Sequence, residues 1–200
     1  MRIAVIGTGN IGGTIGRACA RHGHTVVFGS RKPRSDDAAG DSGATVADVP
    51  GALLDAEVVV LALPGSAVAE FVREHADSIG DILVVDAANN FGGDGPANSY
   101  DAIIATVPDA RYARAFNSLG FENLADPNFG DTNADMFFSA GEADRGTVEA
   151  LIKAVGLRPV YTGEGAHDVV DGVGSLWFAL AIGQKRGRHL AFKVLEGSGS

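Results

Sequence analysis

Three glycines, Gly7, Gly9 and Gly12, stand at the spacing G-x-G-x-x-G in "RIAVIGTGNIGGTIGRACARHGHTVVFGSRKPR". The apolar run before them reads as a strand, the segment after them as a helix, and a second strand follows. In that setting each glycine has a physical task. Gly7 makes a tight turn, Gly9 lets the main chain approach a pyrophosphate, and Gly12 allows the helix to pack close on the strand. The helix N-terminus adds free N–H groups and a dipole that favours anions. The context of strand, turn, helix and strand makes this a dinucleotide-binding signature rather than a glycine-rich turn.

The second strand ends in "FGSRK", and "GSRKPRSDD" (Gly29 to Asp37) is out of character with a chain of net charge −9. Where an NAD-binding chain usually carries an Asp or Glu for the ribose 2′-hydroxyl, this one has Ser30 and Arg31. Arg31 can grip a 2′-phosphate bidentately, Ser30 can donate a hydrogen bond and Lys32 adds a point charge. These residues select NADP(H). Arg34 reads as solvated, and Asp36 and Asp37 offset the charge.

Two further strand ends matter, because ligands of such sheets lie outside the carboxyl ends of the strands. "LALPGSAVAEF" brings Leu63, Pro64 and Ser66 after the third strand, where they can line the nicotinamide ribose and pyrophosphate; Ser66 serves equally well as the N-cap of the next helix. "VVDAANNFGG" brings Ala88, Asn89 and Asn90 after the fourth strand, close to a nicotinamide ring, although asparagine is also a favoured turn residue. No side chain declares itself catalytic. The Tyr-x-x-x-Lys pair of short-chain dehydrogenases is absent, as Ile104, Phe116 and Gly165 stand four places after the three tyrosines. There is no H-E-x-x-H, no paired cysteine and no Gly-x-Ser-x-Gly, so no metal site and no acyl-transfer site is expected. His22 and His24 read as a helix-end pair, His167 and Asp168 as a loop with a cap, and Cys19 as core.

The elements that must position these residues follow from periodicity. Arg2 to Ile6, Thr25 to Phe28, Val58 to Leu63, Ile82 to Val85, Tyr112 to Phe116, Met136 to Ser139 and Pro159 to Tyr161 read as strands. Several are apolar at successive positions, as a parallel strand covered on both faces requires. Ile11 to His22, Ser66 to Ala76, Ser99 to Thr106 and Ala143 to Val155 read as the helices between them. The alternation predicts a Rossmann-type, doubly wound α/β fold with a mostly parallel sheet. One long helix is expected over about 169–190, buried on more than one side because "VGSLWFALAIGQ" is apolar around most of its circumference. Lys185, Arg186, Arg188 and His189 would then lie at its C-terminus, where cations are favoured. The expected organisation is one NADP-binding unit over residues 1–196, with residues 197–200 a flexible tail.

Composition bounds the partners. With 25 Asp and Glu against 16 Lys and Arg, nucleic acid and anionic membrane are disfavoured, and small molecules are the better partners. A single cysteine allows no intrachain disulfide. No run approaches the ~18 apolar residues of a membrane span, and the chain opens directly on a strand, which predicts a cytoplasmic protein.

"IGTGNIGGTIGRACARHGHTVVFGSR", "VVVLALPGSAV", "VVDAANN" and "ARAFNSLGFENLADP", in that order, resemble the NADP-dependent reductase family of the deazaflavin coenzyme F420. The reductase domain of the six-transmembrane metalloreductases is a relative of that family. The resemblance runs from Arg2 to about Leu195. It implies that Thr8, Asn10, Ile11, Ser30 and Arg31 hold the phosphates and that Pro64, Asn89 and Asn117 flank the nicotinamide. It further implies direct hydride passage between the nicotinamide and a flavin-like ring, with no side chain acting as nucleophile or strong acid. Where the family often has Asn-Pro, this chain reads Asn89-Asn90. The expected protein is thus a homodimeric NADPH-dependent oxidoreductase whose small-molecule hydride acceptor is F420 or a flavin. A reductase of a small carbonyl or imine, and a non-catalytic NADP(H)-binding module, are the alternatives.

Overall fold

Residues that alternate between two apolar cores build the centre of the sheet. In the strand Arg2–Ile6 (β1), Ile3 and Val5 enter one core while Ala4 and Ile6 enter the other. The strand Val58–Leu61 beside it divides in the same way, Val58 and Val60 to the first side, Val59 and Leu61 to the second. That division is why these runs are apolar at every position. The computed structural model describes residues 1–33, 38–90 and 95–197.

In chain order, β1 is followed by α1 (Asn10–Arg21), β2 (Thr25–Gly29), β3 (Thr45–Ala47), α2 (Val49–Leu53), β4 (Val58–Leu61), α3 (Gly65–Glu74), α4 (Ala76–Ile79) and β5 (Leu83–Asp86). Then come α5 (Tyr100–Thr106), β6 (Tyr112–Arg114), α6 (Phe121–Ala125), the short hairpin β7 (Asn128–Phe129) and β8 (Thr132–Asn133), β9 (Asp135–Ala140), α7 (Arg145–Ala154), β10 (Arg158–Tyr161) and α8 (His167–Phe178). Eight strands form one sheet in the order β10-β9-β6-β5-β4-β1-β2-β3. All neighbours are parallel except β6 and β9. The chain therefore winds outward from β1 in both directions, and β1 and β4 flank the switch point. Helices α1 and α7 cover one face; α2, α3 and α5 cover the other. The expected Rossmann-type fold is what the chain adopts. No helix among the described residues is long and apolar enough to cross a membrane.

Register sets the position of the site. Ile6 is level with Gly29 on one side and Leu61 on the other, Leu61 with Asp86, and Asp86 with Arg114. The carboxyl ends of β2, β1, β4, β5 and β6 thus form one line across the sheet, and the five segments leaving it share one edge.

The long final helix is shorter than the periodicity suggests. Helix α8 ends at Phe178, a π-helical turn covers Ala179–Gly183, and Lys185 and Gly187 then take positive φ values of 54° and 93°. The apolar residues beyond serve another purpose. Leu190, Ala191 and Phe192 pack on the core in a non-helical segment. Trp177 Nε1 donates to Leu190 O at 2.6 Å, Asn123 Nδ2 to Arg188 O at 3.0 Å and Asp135 N to Phe192 O at 3.1 Å. These tertiary hydrogen bonds outweigh local helix propensity. Arg188 pairs with Glu122 and His189 stacks on Phe129, so neither sits at a helix C-terminus as expected. Nor is α8 buried on several sides within the chain. Trp177 is buried, whereas Val169, Leu176, Phe178 and Ile182 are exposed.

Asp135 fastens the C-terminal segment. Its carboxylate, wholly buried, accepts two hydrogen bonds of 2.6 Å from Arg158 and one of 2.7 Å from Val194 N. Burial opposes its charge, but those hydrogen bonds and the charges of Arg158 and Lys193 outweigh it and hold the carboxyl below its ordinary value. A folded value below the unfolded one means that the stabilisation is complete above the ordinary carboxylate pKa of ~4 and is lost as pH falls through the folded value. Hydrogen exchange at residues 188–195 should therefore accelerate on acidification before the β1 core opens. Asp135→Asn should loosen that segment by about 1–3 kcal/mol at neutral pH and flatten its acid dependence; exchange unchanged by the substitution would contradict this account.

Candidate functional site

The turn after β1 is built by close backbone approach. Gly7 has φ of 109°, and a Cβ there would lie 2.3 Å from the carbonyl oxygen of Ala62, the residue after β4. A Cβ on Gly12 would lie 1.9 Å from the Gly7 carbonyl oxygen. The turn, α1 and the exit of β4 are thus in backbone contact that leaves no space for a side chain. Gly9 is different. It has an ordinary φ of −75°, it is exposed, and a Cβ there meets nothing within 4 Å. Gly9 is the N-cap of α1, which has no side-chain cap and no acidic residue in its first turn. The first-turn N–H groups, Asn10 and Ile11 among them, have no helical partner and face the open side of Gly9. Thr8 and Asn10 are exposed beside them. An open approach over glycine to unpaired N–H groups fits the pyrophosphate of a dinucleotide.

Ser30, Arg31 and Lys32 leave β2 along the same edge. Ser30 N donates to Ala47 O at 3.0 Å, which ties the start of the turn to β3, and Ser30 Oγ accepts from Lys32 N at 3.2 Å. That bond leaves the hydroxyl hydrogen available as a donor, and Arg31 and Lys32 are exposed. Arg34, Asp36 and Asp37 lie outside the described residues.

The exits of β4, β5 and β6 are joined. Pro64 and Asn89 form a parallel bridge, and Gly65 N donates to Asn89 O at 3.4 Å. Leu63 is half-buried beside them and Ala88 buried. Helix α3 starts at Gly65 with Pro64 as its N-cap, so Ser66 lies inside the first turn and is not the cap that the sequence allows. Asn89 is exposed as a residue, yet its amide turns inward: Nδ2 donates to Asn117 O at 3.0 Å and Oδ1 accepts from Arg114 Nη2 at 3.0 Å. Asn117 is 2% exposed, follows Phe116 at φ of 63°, and donates from Nδ2 to Asp171 Oδ1 at 2.8 Å. Its Oδ1 is buried without a hydrogen-bond partner.

Behind this rim lies a polar cluster that sequence reasoning missed. Arg114, at the end of β6 and fully buried, pairs with Asp171 of α8 at 2.7 Å and with Asp86 of β5 at 3.3 Å. Asp86 also accepts from Ala88 N, Ser99 N and Tyr112 Oη at 2.8–3.0 Å. Burial, reinforced by the neighbouring Asp86 charge, pushes the Tyr112 phenol far up, so it stays a donor. The available signal was an acid and an arginine standing as the last residues of otherwise apolar or aromatic strands. Asp171 offered no local signal at all.

The structure thus brings Gly7, Thr8, Gly9, Asn10, Ile11, Gly12, Leu63, Pro64, Ala88, Asn89 and Asn117 to the edge formed by β1, β4, β5 and β6, with Ser30, Arg31 and Lys32 on it beyond β1. It does not bring His167 there. That ring stacks on Tyr100 with centroids 4.4 Å apart and meets Tyr112, at the opposite end of β6 from Arg114, edge-on. Asp168 is largely exposed. Cys19 is buried under α1, and burial pushes its thiol up to about 12, which makes it an inert core residue. Among the described residues no cluster of three His, Cys, Asp or Glu could hold a metal ion.

A glycine turn of this geometry beside the switch point of a doubly wound sheet defines a Rossmann-type dinucleotide-binding fold. Residues 2–90 match the family described as NADP oxidoreductase, coenzyme F420-dependent, and the chain belongs to that family of NADP-dependent oxidoreductases. A structure from Arthrobacter sp. FB24, provisionally described as an F420-dependent NADP reductase, is similar over 98% of this chain and 100% of its own, with a TM-score of 0.81 at 24% identity. The hypothetical protein SMa0349 of Sinorhizobium meliloti is 30% identical, with a TM-score of 0.69 over 84% of this chain and 87% of its own. An imine reductase from Aspergillus terreus, in complex with NADPH4 and dibenz[c,e]azepine, shares the fold at a TM-score of 0.66 and 17% identity; the match covers 90% of this chain but 61% of that one.

The contrast between two glycines gives a direct test. A Cβ on Gly9 meets no protein atom, so Gly9→Val should fold with an unchanged melting temperature while dinucleotide binding is lost in calorimetry. Gly12→Ala drives a Cβ into the Gly7 carbonyl and should destabilise the fold itself by several kcal/mol. A Gly9→Val protein with full cofactor affinity would show that the phosphates bind elsewhere.

Proposed function

We propose that the chain is an NADPH-dependent reductase that passes hydride to a planar flavin-like or deazaflavin acceptor over the ends of β4, β5 and β6. The observation that carries the cofactor half is the exit of β2, where Ser30, Arg31 and Lys32 stand on the same edge as the glycine turn, with a serine and an arginine at the positions where an acid would repel a 2′-phosphate. Gly7 to Gly12 hold the pyrophosphate, and Leu63, Pro64, Ala88, Asn89 and Asn117 line the nicotinamide half. When bound, NADPH supplies the hydride.

The acceptor half rests on what faces the rim. Asn89 turns its amide inward, and Asp86, Arg114 and Asp171 are engaged with one another. The residues left to meet a ring are small or apolar. A flavin or deazaflavin ring can take its proton from water, whereas a carbonyl or imine reductase gains ~10²- to 10⁴-fold from a placed acid. His167, packed between tyrosines at the far end of β6, is not such an acid. The exposed apolar residues Val169 and Leu176 of α8, with Ile182 of the π-helical turn after it, are assigned to a homodimer contact, which would bury them. The setting proposed is the cytoplasm.

NADPH should bind at least ~10-fold tighter than NADH, and Arg31→Ala should erase most of that difference, ~1.4 kcal/mol, while NADH affinity stays put. Equal wild-type affinities would sink the cofactor choice. With NADPH, absorbance at 340 nm should fall on adding F420 or flavin mononucleotide and not with a panel of carbonyls and imines. His167→Ala and Asp168→Ala should leave that rate unchanged; loss of turnover with NADPH binding intact would favour acid-assisted reduction of a carbonyl or imine. Light scattering should return twice the chain mass, and Leu176→Glu should halve it.

A further inference from the structure

We infer that Arg114 and Asp171 are positioning residues: through them α8 holds the two loops that carry the nicotinamide half of the proposed site. The inference rests on the NADP(H) reading above and extends it to residues that touch no cofactor.

The partners of Arg114 are mostly main-chain carbonyls. Nη1 donates to Asp86 O at 3.1 Å and Ala88 O at 2.5 Å; Nη2 donates to Asn89 Oδ1 at 3.0 Å and Ala97 O at 3.3 Å; Nε donates to Asp171 Oδ1 at 2.8 Å. A guanidinium has five N–H donors in a rigid fork. Spread over both ends of the loop after β5, that fork fixes those two ends, because the carbonyls of Ala88 and Ala97 must each point at a planar group that cannot turn. Ala88 and Asn89 are the residues that the loop offers to a nicotinamide.

Asp171 performs the same task for the loop after β6. Its Oδ1 accepts from Arg114 and from Asn117 Nδ2, and its Oδ2 accepts from Asn98 Nδ2 at 2.7 Å. A carboxylate offers acceptors only, so the Asn117 amide must present its nitrogen to Asp171 and direct Oδ1 away. Phe116, a bulky residue held at φ of 63°, and the unpartnered Asn117 Oδ1 both carry a cost that the surrounding bonds must offset. Asn89 Nδ2 on Asn117 O joins the two loops. Lys would keep the charge of Arg114 without the fork, and Asn would keep the shape of Asp171 while letting the Asn117 amide turn over.

The adenosine half is built separately. Ser30, Arg31 and Lys32 share no hydrogen bond with this cluster, which makes the test selective. Affinities for NADPH and for 2′,5′-ADP, which lacks the nicotinamide half, are measured by calorimetry on the full chain, wild type, Asp171→Asn and Arg114→Lys, with folding checked by circular dichroism. Both variants should weaken NADPH roughly 10-fold and leave 2′,5′-ADP within about 2-fold. If Arg114→Lys does not fold, Asp171→Asn alone decides. Equal weakening of both ligands, or no weakening of either, overturns the inference while the cofactor reading stands. A wild type that binds neither ligand overturns the cofactor reading, and the inference with it.

Discussion

The carbonyl oxygen of Gly7 stands 1.9 Å from where any Cβ on residue 12 would have to be. That contact draws the first turn of α1 against the exit of β1, and the matching contact between Gly7 and Ala62 draws both against the exit of β4. A parallel sheet that winds outward in two directions leaves a crevice between its two central strands. The glycine contacts set the width of that crevice by backbone alone. A phosphate placed there would meet N–H groups over the open side of Gly9, with Thr8 and Asn10 exposed beside them. The exposed, unobstructed Gly9 and the crowded Gly12 are thus two sides of one arrangement, one open to solvent and one closed for packing.

The second half of the edge is held by another kind of force. Hydrophobic burial has no direction, and it positions the strands well because their register is fixed by main-chain hydrogen bonds. Beyond Leu61, Asp86 and Arg114 the regular ladders give way to isolated bonds such as Gly65 N to Asn89 O, and packing with so few of them would let the loops slide. A buried arginine is expensive to desolvate and is seldom the most stable choice for a core. Its usefulness here is angular, since it ties the chain at Asp86, Ala88 and Ala97 to one plane and links that plane to Asp171 on α8.

Much of this was legible because the strands face two cores. A run such as Val58 to Leu61 can be apolar throughout only if both sides are covered, so strands, connecting helices and glycine turn all appear in one pass along the chain. What escaped notice had no local signature. Strand β3 is three residues with Thr45 exposed, and α2 contains both Pro50 and Gly51, held by an Asp48 cap on Gly51 N at 2.9 Å. The cluster draws on three segments: Asp86 and Arg114 meet across β5 and β6, and only the antiparallel insertion of β9 beside β6, followed by the return of α8, adds Asp171. The final helix was overextended because Leu190 and Phe192 are as apolar as a buried helix needs, and only tertiary partners show that they are core residues of a non-helical segment.

The same division explains the character of the rim. If Asn89 and Asn117 presented their amides outward, the site would offer polar hands to a substrate and would discriminate by hydrogen bonding, which rejects poor fits strongly. They instead turn those groups toward Arg114, Asp171 and each other, and leave the rim with main chain, Pro64 and small side chains. Under the proposed function such a surface would select by flatness and contact. Helix α8 joins these features, since Asp171 on its buried side orders the rim while Leu176 on its other side is exposed.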